Sequence, residues 1–128
     1  MTPMILIDKK VFKAMQEFAK NNHPREIIVL LRGKREKDNI VITDWLLPPF
    51  GTGGNGFASF PTHMLPIDFT IMGTAHSHPS GRLTPSATDM NNFYGRVMMI
   101  IGPPYDEPRG AAYYKSGEQI PIRFSPQQ

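Results

Sequence analysis

The chain has 128 residues, 40% of them hydrophobic, which is enough for one domain with a real core and too few for two. It has no cysteine, so disulfide staples are excluded and any transition-metal site must be built from nitrogen and oxygen ligands. The formal net charge of +3 makes the surface mildly basic. There is no basic cluster beyond Lys34-Arg35, no nucleic-acid motif, no apolar run of membrane-spanning length and no signal-peptide pattern, so the expected protein is cytoplasmic, with neither a nucleic-acid nor a membrane partner.

Asp8 to Asn21 reads as an opening helix, with Asp8 as N-cap and Val11, Phe12, Met15, Phe18 and Ala19 on one face. That stripe is expected to be core. Glu26 to Leu31 follows, apolar on both faces, as a buried central strand. Glu26 at its mouth has two readings. It is either a partly desolvated carboxylate whose raised pKa suits proton transfer, or simply the solvent-edge start of the strand. Gly33 to Asn39 then forms a charged, solvated hairpin tip leading to a second strand, Ile40 to Leu47.

Residues 48–66 carry the glycines and prolines of an irregular loop. No helix follows those glycines at the spacing a phosphate-binding loop needs, which rejects a nucleotide reading. A loop of this length inside a compact domain is often functional, whereas His63 within it is expected to be solvated.

Phe69 to Ala75 has the β-branched and aromatic character of a strand, and Pro79 should end its pairing. His76 and His78 then lie at the strand's C-terminal end on one face, because side chains alternate along a strand, and both imidazoles can reach one ion. Ser80 to Asp89 reads as a turn into a helix with Thr84 as N-cap and Pro85 as its first residue. Asp89 could swing back as a third ligand. Two histidines and a carboxylate leave tetrahedral zinc an open position, as in catalytic sites. Ser86-x-x-Asp89 equally fits a capping box, which would give both residues a purely structural task. The helix should run to about Tyr94 with Gly95 as its stop, and three strands should follow near Val97–Ile101, Gly110–Lys115 and Gln119–Phe124.

Glu26, then His76-Ser77-His78-Pro79, then Ser86 and Asp89 at these spacings resembles the JAMM motif of the MPN+ (Jab1/MPN) metalloproteases, with no departure at any motif position. The resemblance extends over most of the chain. It implies an α/β fold, a single MPN domain of cytidine deaminase-like architecture over residues 1–128, with a mixed central sheet flanked by helices. It also implies one Zn2+ held by His76, His78 and Asp89, with Glu26 as general acid/base and Ser86 stabilising the oxyanion. Members are zinc isopeptidases that release ubiquitin or ubiquitin-like modifier proteins, and stand-alone ones occur in archaea and bacteria. An archaeal protein and a homodimer both suit this picture.

In that family an insertion in the position of the 48–66 loop helps hold the extended tail of the modifier, which makes Gly53, Gly54, Phe57 and Phe60 candidate substrate-binding residues. Linkage-specific members carry a second insertion with further zinc ligands. No such segment, and no histidine after Asp89, is present here. A sulfur-carrier protein or another peptide as substrate, or a non-catalytic scaffold role, are the alternatives.

Overall fold

The computed structural model describes residues 2–48, 52–54, 57–59 and 68–125. The chain opens with a strand, β1 (Ile5–Asp8), that runs straight into helix α1 (Lys9–Asn22). Asp8 ends the one and caps the other: its backbone is extended and its side chain accepts from the Lys10 N–H at 2.7 Å. Phe12, Met15, Gln16 and Ala19 recur at helical spacing and form the buried face of α1. β1 was not expected from the sequence, since four residues leave too little alternation to register before the helix begins.

Then come β2 (Ile28–Glu36), β3 (Asn39–Leu46), β4 (Thr52–Gly54), β5 (Phe57–Ser59), β6 (Ile71–Ser77), helix α2 (Ala87–Asn91), β7 (Val97–Ile101), β8 (Gly110–Tyr113), β9 (Gln119–Ile120) and β10 (Ile122–Ser125). Eight strands form one mixed sheet in the order β10-β1-β3-β2-β6-β7-β8-β9, and β4 pairs with β5 in a separate two-stranded ribbon. This is the α/β, mixed-sheet architecture expected of an MPN fold.

Three expectations change. The β2–β3 hairpin tip is Lys37-Asp38, shorter than the predicted 33–39 segment, because β2 continues through Gly33 to Glu36 past a bulge. Gly33 lies within the ladder opposite Ile42, where a Cβ would overlap the Val41 carbonyl, so the close approach requires glycine. The helix predicted from Pro85 to Tyr94 with a Thr84 cap is the five-residue α2, capped by Ser86. It buries no side chain, so nothing in the core extends it. Gly95 does adopt a positive φ of 83°, but its task is close approach: a Cβ there would come 2.8 Å from the Gly73 Cα.

The third change concerns closure. The single strand expected over 119–124 is split at Pro121, with β9 pairing to β8 and β10 pairing in parallel to β1. β9 and β10 are the two ends of the sheet order yet are separated by one residue. Consecutive Cα atoms are only about 3.8 Å apart, so the sheet must roll until its edges meet at Pro121. The Pro121 carbonyl accepts the Ile5 N–H at 2.9 Å, tying this junction to β1.

Helix α1 lies against the rolled sheet and touches both of its halves. The Phe12 ring meets Phe124 of β10 edge-on at 4.8 Å, and Phe18 stacks on Trp45 of β3 at 5.5 Å. Gln16, almost fully buried, donates to the Glu107 carbonyl in the β7–β8 connection at 2.8 Å. β6 sits in the middle of the sheet, between β2 and β7. Its C-terminal end carries the histidines.

Candidate metal centre

The register places His76 opposite Ile28 of β2 and Ile100 of β7. One residue past β6, the His78 N–H still donates to the Ile101 carbonyl at 2.8 Å, so His78 keeps the strand's alternation. His76 and His78 therefore share a face, and Ser77 between them points the other way, fully buried. Pro79 ends the pairing, and a turn follows in which the Gly81 N–H returns to the His78 carbonyl at 2.9 Å.

The His76 and His78 Nε2 atoms lie 3.0 Å apart. Asp89 faces both, with Oδ2 at 3.0 Å from the His78 Nε2 and Oδ1 at 3.3 Å from the His76 Nε2. Among the described residues these are the three donors that converge, all within 4.8 Å of one another. Zinc ligands bond at about 2.0–2.2 Å, which sets the edge of a coordination tetrahedron at about 3.3 Å. The 3.0 Å between the two imidazole nitrogens lies close to that edge and Asp89 offers an oxygen to each ring, so the residues fit one zinc ion, and three protein donors is the number used by catalytic sites.

The surroundings tune the donors. The His78 Nδ1 lies 2.8 Å from the Arg82 carbonyl, so it carries the proton and turns Nε2 toward the centre. With an acceptor at each ring nitrogen, the charged imidazolium is favoured: the Asp89 hydrogen bond raises the His78 pKa, burial opposes the rise, and the Arg82 carbonyl and the Glu26 charge add to it. For Asp89, burial works against ionisation, but hydrogen bonds from His76 and His78, the His76 charge, and the Ser86 N–H hold the carboxyl well below the usual carboxylate range. A cation entering here takes the place of protons already directed at the same spot.

Cap and ligand prove to be compatible. The Ser86 N–H donates to Asp89 Oδ2 at 2.8 Å and the Asp89 N–H donates to the Ser86 Oγ at 3.0 Å, a complete capping box. The same carboxylate still presents Oδ1 to His76 and Oδ2 to His78. The box fixes the rotamer that the metal centre needs.

Glu26, half-buried two residues before β2, lines the same cleft of about 560 Å³ as His78, Ser86 and Asp89. It is not one of the three converging donors. Of the candidate substrate-binding residues, Gly53 and Gly54 lie in β4 and Phe57 in β5, with Gly54 opposite Phe57. Part of the predicted irregular loop is thus a short antiparallel ribbon. Phe60 and His63 lie outside the described residues. Sequence reasoning missed the Arg82 carbonyl and the Tyr113 hydroxyl, which donates to the Leu83 carbonyl at 2.7 Å and ties the motif loop to β8. Backbone acceptors carry no residue code.

Residues 8–114 match the family described as prokaryotic homologues of the JAB domain. The chain belongs to the JAMM/MPN family. A probable metalloprotease of Haloferax volcanii is 38% identical over 109 residues, 80% of this chain and 68% of that protein. A JAB1/MPN domain protein from Archaeoglobus fulgidus is 30% identical with a TM-score of 0.68, covering 95% of this chain and 98% of its own. A structure described as the JAMM metalloprotease-like zinc site in the proteasome and signalosome is 28% identical, with a TM-score of 0.65 and 99% and 100% coverage. A protein from Desulfitobacterium hafniense, 21% identical with a TM-score of 0.76 over 97% and 94% of the two chains, shares the fold. As a JAMM/MPN protein this chain is a metalloprotease, and its His-His-Asp centre is a site for one Zn2+.

Proposed function

We propose that this JAMM/MPN protein is a zinc-dependent isopeptidase that hydrolyses the bond following the C-terminal Gly-Gly tail of ubiquitin-like modifier proteins. The observation that carries the reading is one cleft lined by His78, Asp89, Glu26 and Ser86, with His76 beneath it completing the donor set. The substrate class rests on the motif's resemblance to the family and the chemistry on the residues.

His76, His78 and Asp89 would hold the ion, which supplies an acidified water and polarises the scissile carbonyl when bound. Glu26, which lines the cleft but is not one of the donors, takes the proton of the attacking water and returns it to the departing amine. The Ser86 Oγ accepts from the Asp89 N–H, so its own hydroxyl proton is left to donate to the carbonyl oxygen as charge grows there. No acyl-enzyme is needed.

The test is incubation of the zinc-loaded protein with ubiquitin-like proteins fused or conjugated through Gly-Gly tails, with and without chelator. Chelator-sensitive cleavage after the second glycine is expected. Zinc binding with no cleavage of any tail would remove the substrate class and leave the metal centre standing.

A further inference from the structure

Ser77 stands between two metal-donor histidines but faces away from them, is fully buried, and has no part in the chemistry described so far. Its contacts run to the segment that carries Glu26. The Ser77 N–H donates to the Ile27 carbonyl at 3.1 Å, and the Ile27 N–H donates to the Ser77 Oγ at 3.0 Å. The two residues thus exchange a closed pair of hydrogen bonds, one of them supplied by a side chain.

The side-chain bond stands in for a ladder bond. β2 and β6 are antiparallel with Ile28 opposite His76, and strand β2 begins only at Ile28. Ile27 lies one residue before that strand. That register sets Ile27 opposite Ser77, and in a regular hydrogen-bonded antiparallel pair the Ile27 N–H would donate to the Ser77 carbonyl; here it donates to the Ser77 Oγ instead, so the buried N–H still has an acceptor. The Ser77 hydroxyl thus takes the place of a backbone acceptor at the position from which Glu26 departs toward the cleft. Tyr105, packed on the core from the β7–β8 connection, shares a side-chain hydrogen bond with the same Ser77.

We infer that Ser77 is a positioning residue: by clamping Ile27 to the strand that bears His76 and His78, it fixes the distance between the Glu26 carboxylate and the metal donors. This inference rests on the assignment of Glu26 as acid/base. A general base must sit within hydrogen-bond reach of its proton, and misplacement by about 1 Å is worth roughly 100-fold in rate. An alanine at position 77 would keep the backbone hydrogen bond and both histidines while releasing the Ile27 N–H.

The experiment compares wild type, Ser77→Ala, Ser77→Thr and Glu26→Gln, each zinc-loaded, on a Gly-Gly-tailed ubiquitin-like protein carrying a fluorogenic amide at its C-terminus. Zinc affinity is measured by chelator competition, and hydrogen exchange of the Ile27 amide is followed in the metal-free proteins. For Ser77→Ala we expect kcat to fall roughly 10–100-fold, with KM and zinc affinity within about two-fold of wild type. Its Ile27 amide should exchange at least about ten-fold faster while the amides of Val29 and Leu31 stay protected. Ser77→Thr, which retains a hydroxyl, should recover most of kcat.

An unchanged kcat in Ser77→Ala beside an inactive Glu26→Gln would overturn the clamp and leave the acid/base assignment standing. Loss of zinc affinity in proportion to kcat would also overturn it, since Ser77 would then serve the ligands. A fully active Glu26→Gln would instead remove the assignment on which the clamp depends. If wild type cleaves no tail, the exchange measurement still decides, because a protected Ile27 amide in Ser77→Ala refutes the clamp without any substrate.

Discussion

Asp89 answers to two masters: its Oδ2 accepts the helix-cap bond from the Ser86 N–H, while Oδ1 and Oδ2 face His76 and His78. The linked titrations give opposite signs of pH dependence. The folded pKa of Asp89 is depressed, so its stabilisation of the metal-free protein is present above the unfolded value of about 3.9 and is lost as pH falls through the folded value. The folded pKa of His78 is raised, so its contribution is present below about 6.5 and fades as pH rises through the raised value. Zinc needs the neutral imidazole. Zinc affinity should therefore fall as pH drops through the His78 titration, with protons released on binding, which calorimetry in buffers of different ionisation enthalpy would measure. A pH-independent affinity would contradict the assignment. Ser86→Ala should lose about 0.5–2 kcal/mol from the cap and, separately, about 2.7–4 kcal/mol from the chemical step; denaturant melts and kcat report the two losses independently. Glu26→Gln should abolish turnover while chelator competition still finds zinc bound.

At the scale of elements, local pattern is legible and distant pairing is not. Val97–Ile101 reads directly as β7 because five apolar residues in a row suit a strand buried on both faces. The His76-x-His78 geometry follows from the period of two, and helix α1 from its apolar stripe. The strand β1 was hidden because its partners are β3 and β10, which lie far along the chain. The extent of α2 was overread because nothing in the sequence shows that its face meets no core. Five residues fall short of what an isolated helix needs, so the capping box and the contacts of Asp89 hold it. Gly73 gives an element-scale test. A Cβ there would overlap the Val97 carbonyl, so Gly73→Ala should force β6 from β7. The expected loss is about 1–3 kcal/mol in a denaturant melt, with weaker zinc binding because His76 lies three residues along the same strand. A melt identical to wild type would show that the two strands can shift freely.

For the whole molecule, α1 packs against both halves of a sheet whose outer edges are brought together by the short strands β9 and β10. Phe12 packs edge-on against Phe124 in β10, and a Cβ added at Gly110 in β8 would come 3.2 Å from its ring. Phe12→Ala should therefore cost about 3–5 kcal/mol, as a shift in denaturant midpoint with little change in slope. A loss below about 1 kcal/mol would mean that this packing is dispensable. None of this closure was legible beforehand, because the split at Pro121 is a matter of which distant edge each half of the segment joins.

The position of β6 in the sheet order limits how an extended peptide can approach the zinc site. Both long edges of that strand are taken, by β2 on one side and β7 on the other, and the sheet's outermost strands are spent on the junction at Pro121. A peptide laid across the cleft thus finds no free main-chain row beside the histidines on which to dock. Its own amides must be met by the motif loop, by side chains, or by strands outside the eight, so selectivity for a peptide substrate can change without disturbing the strand that carries the histidines.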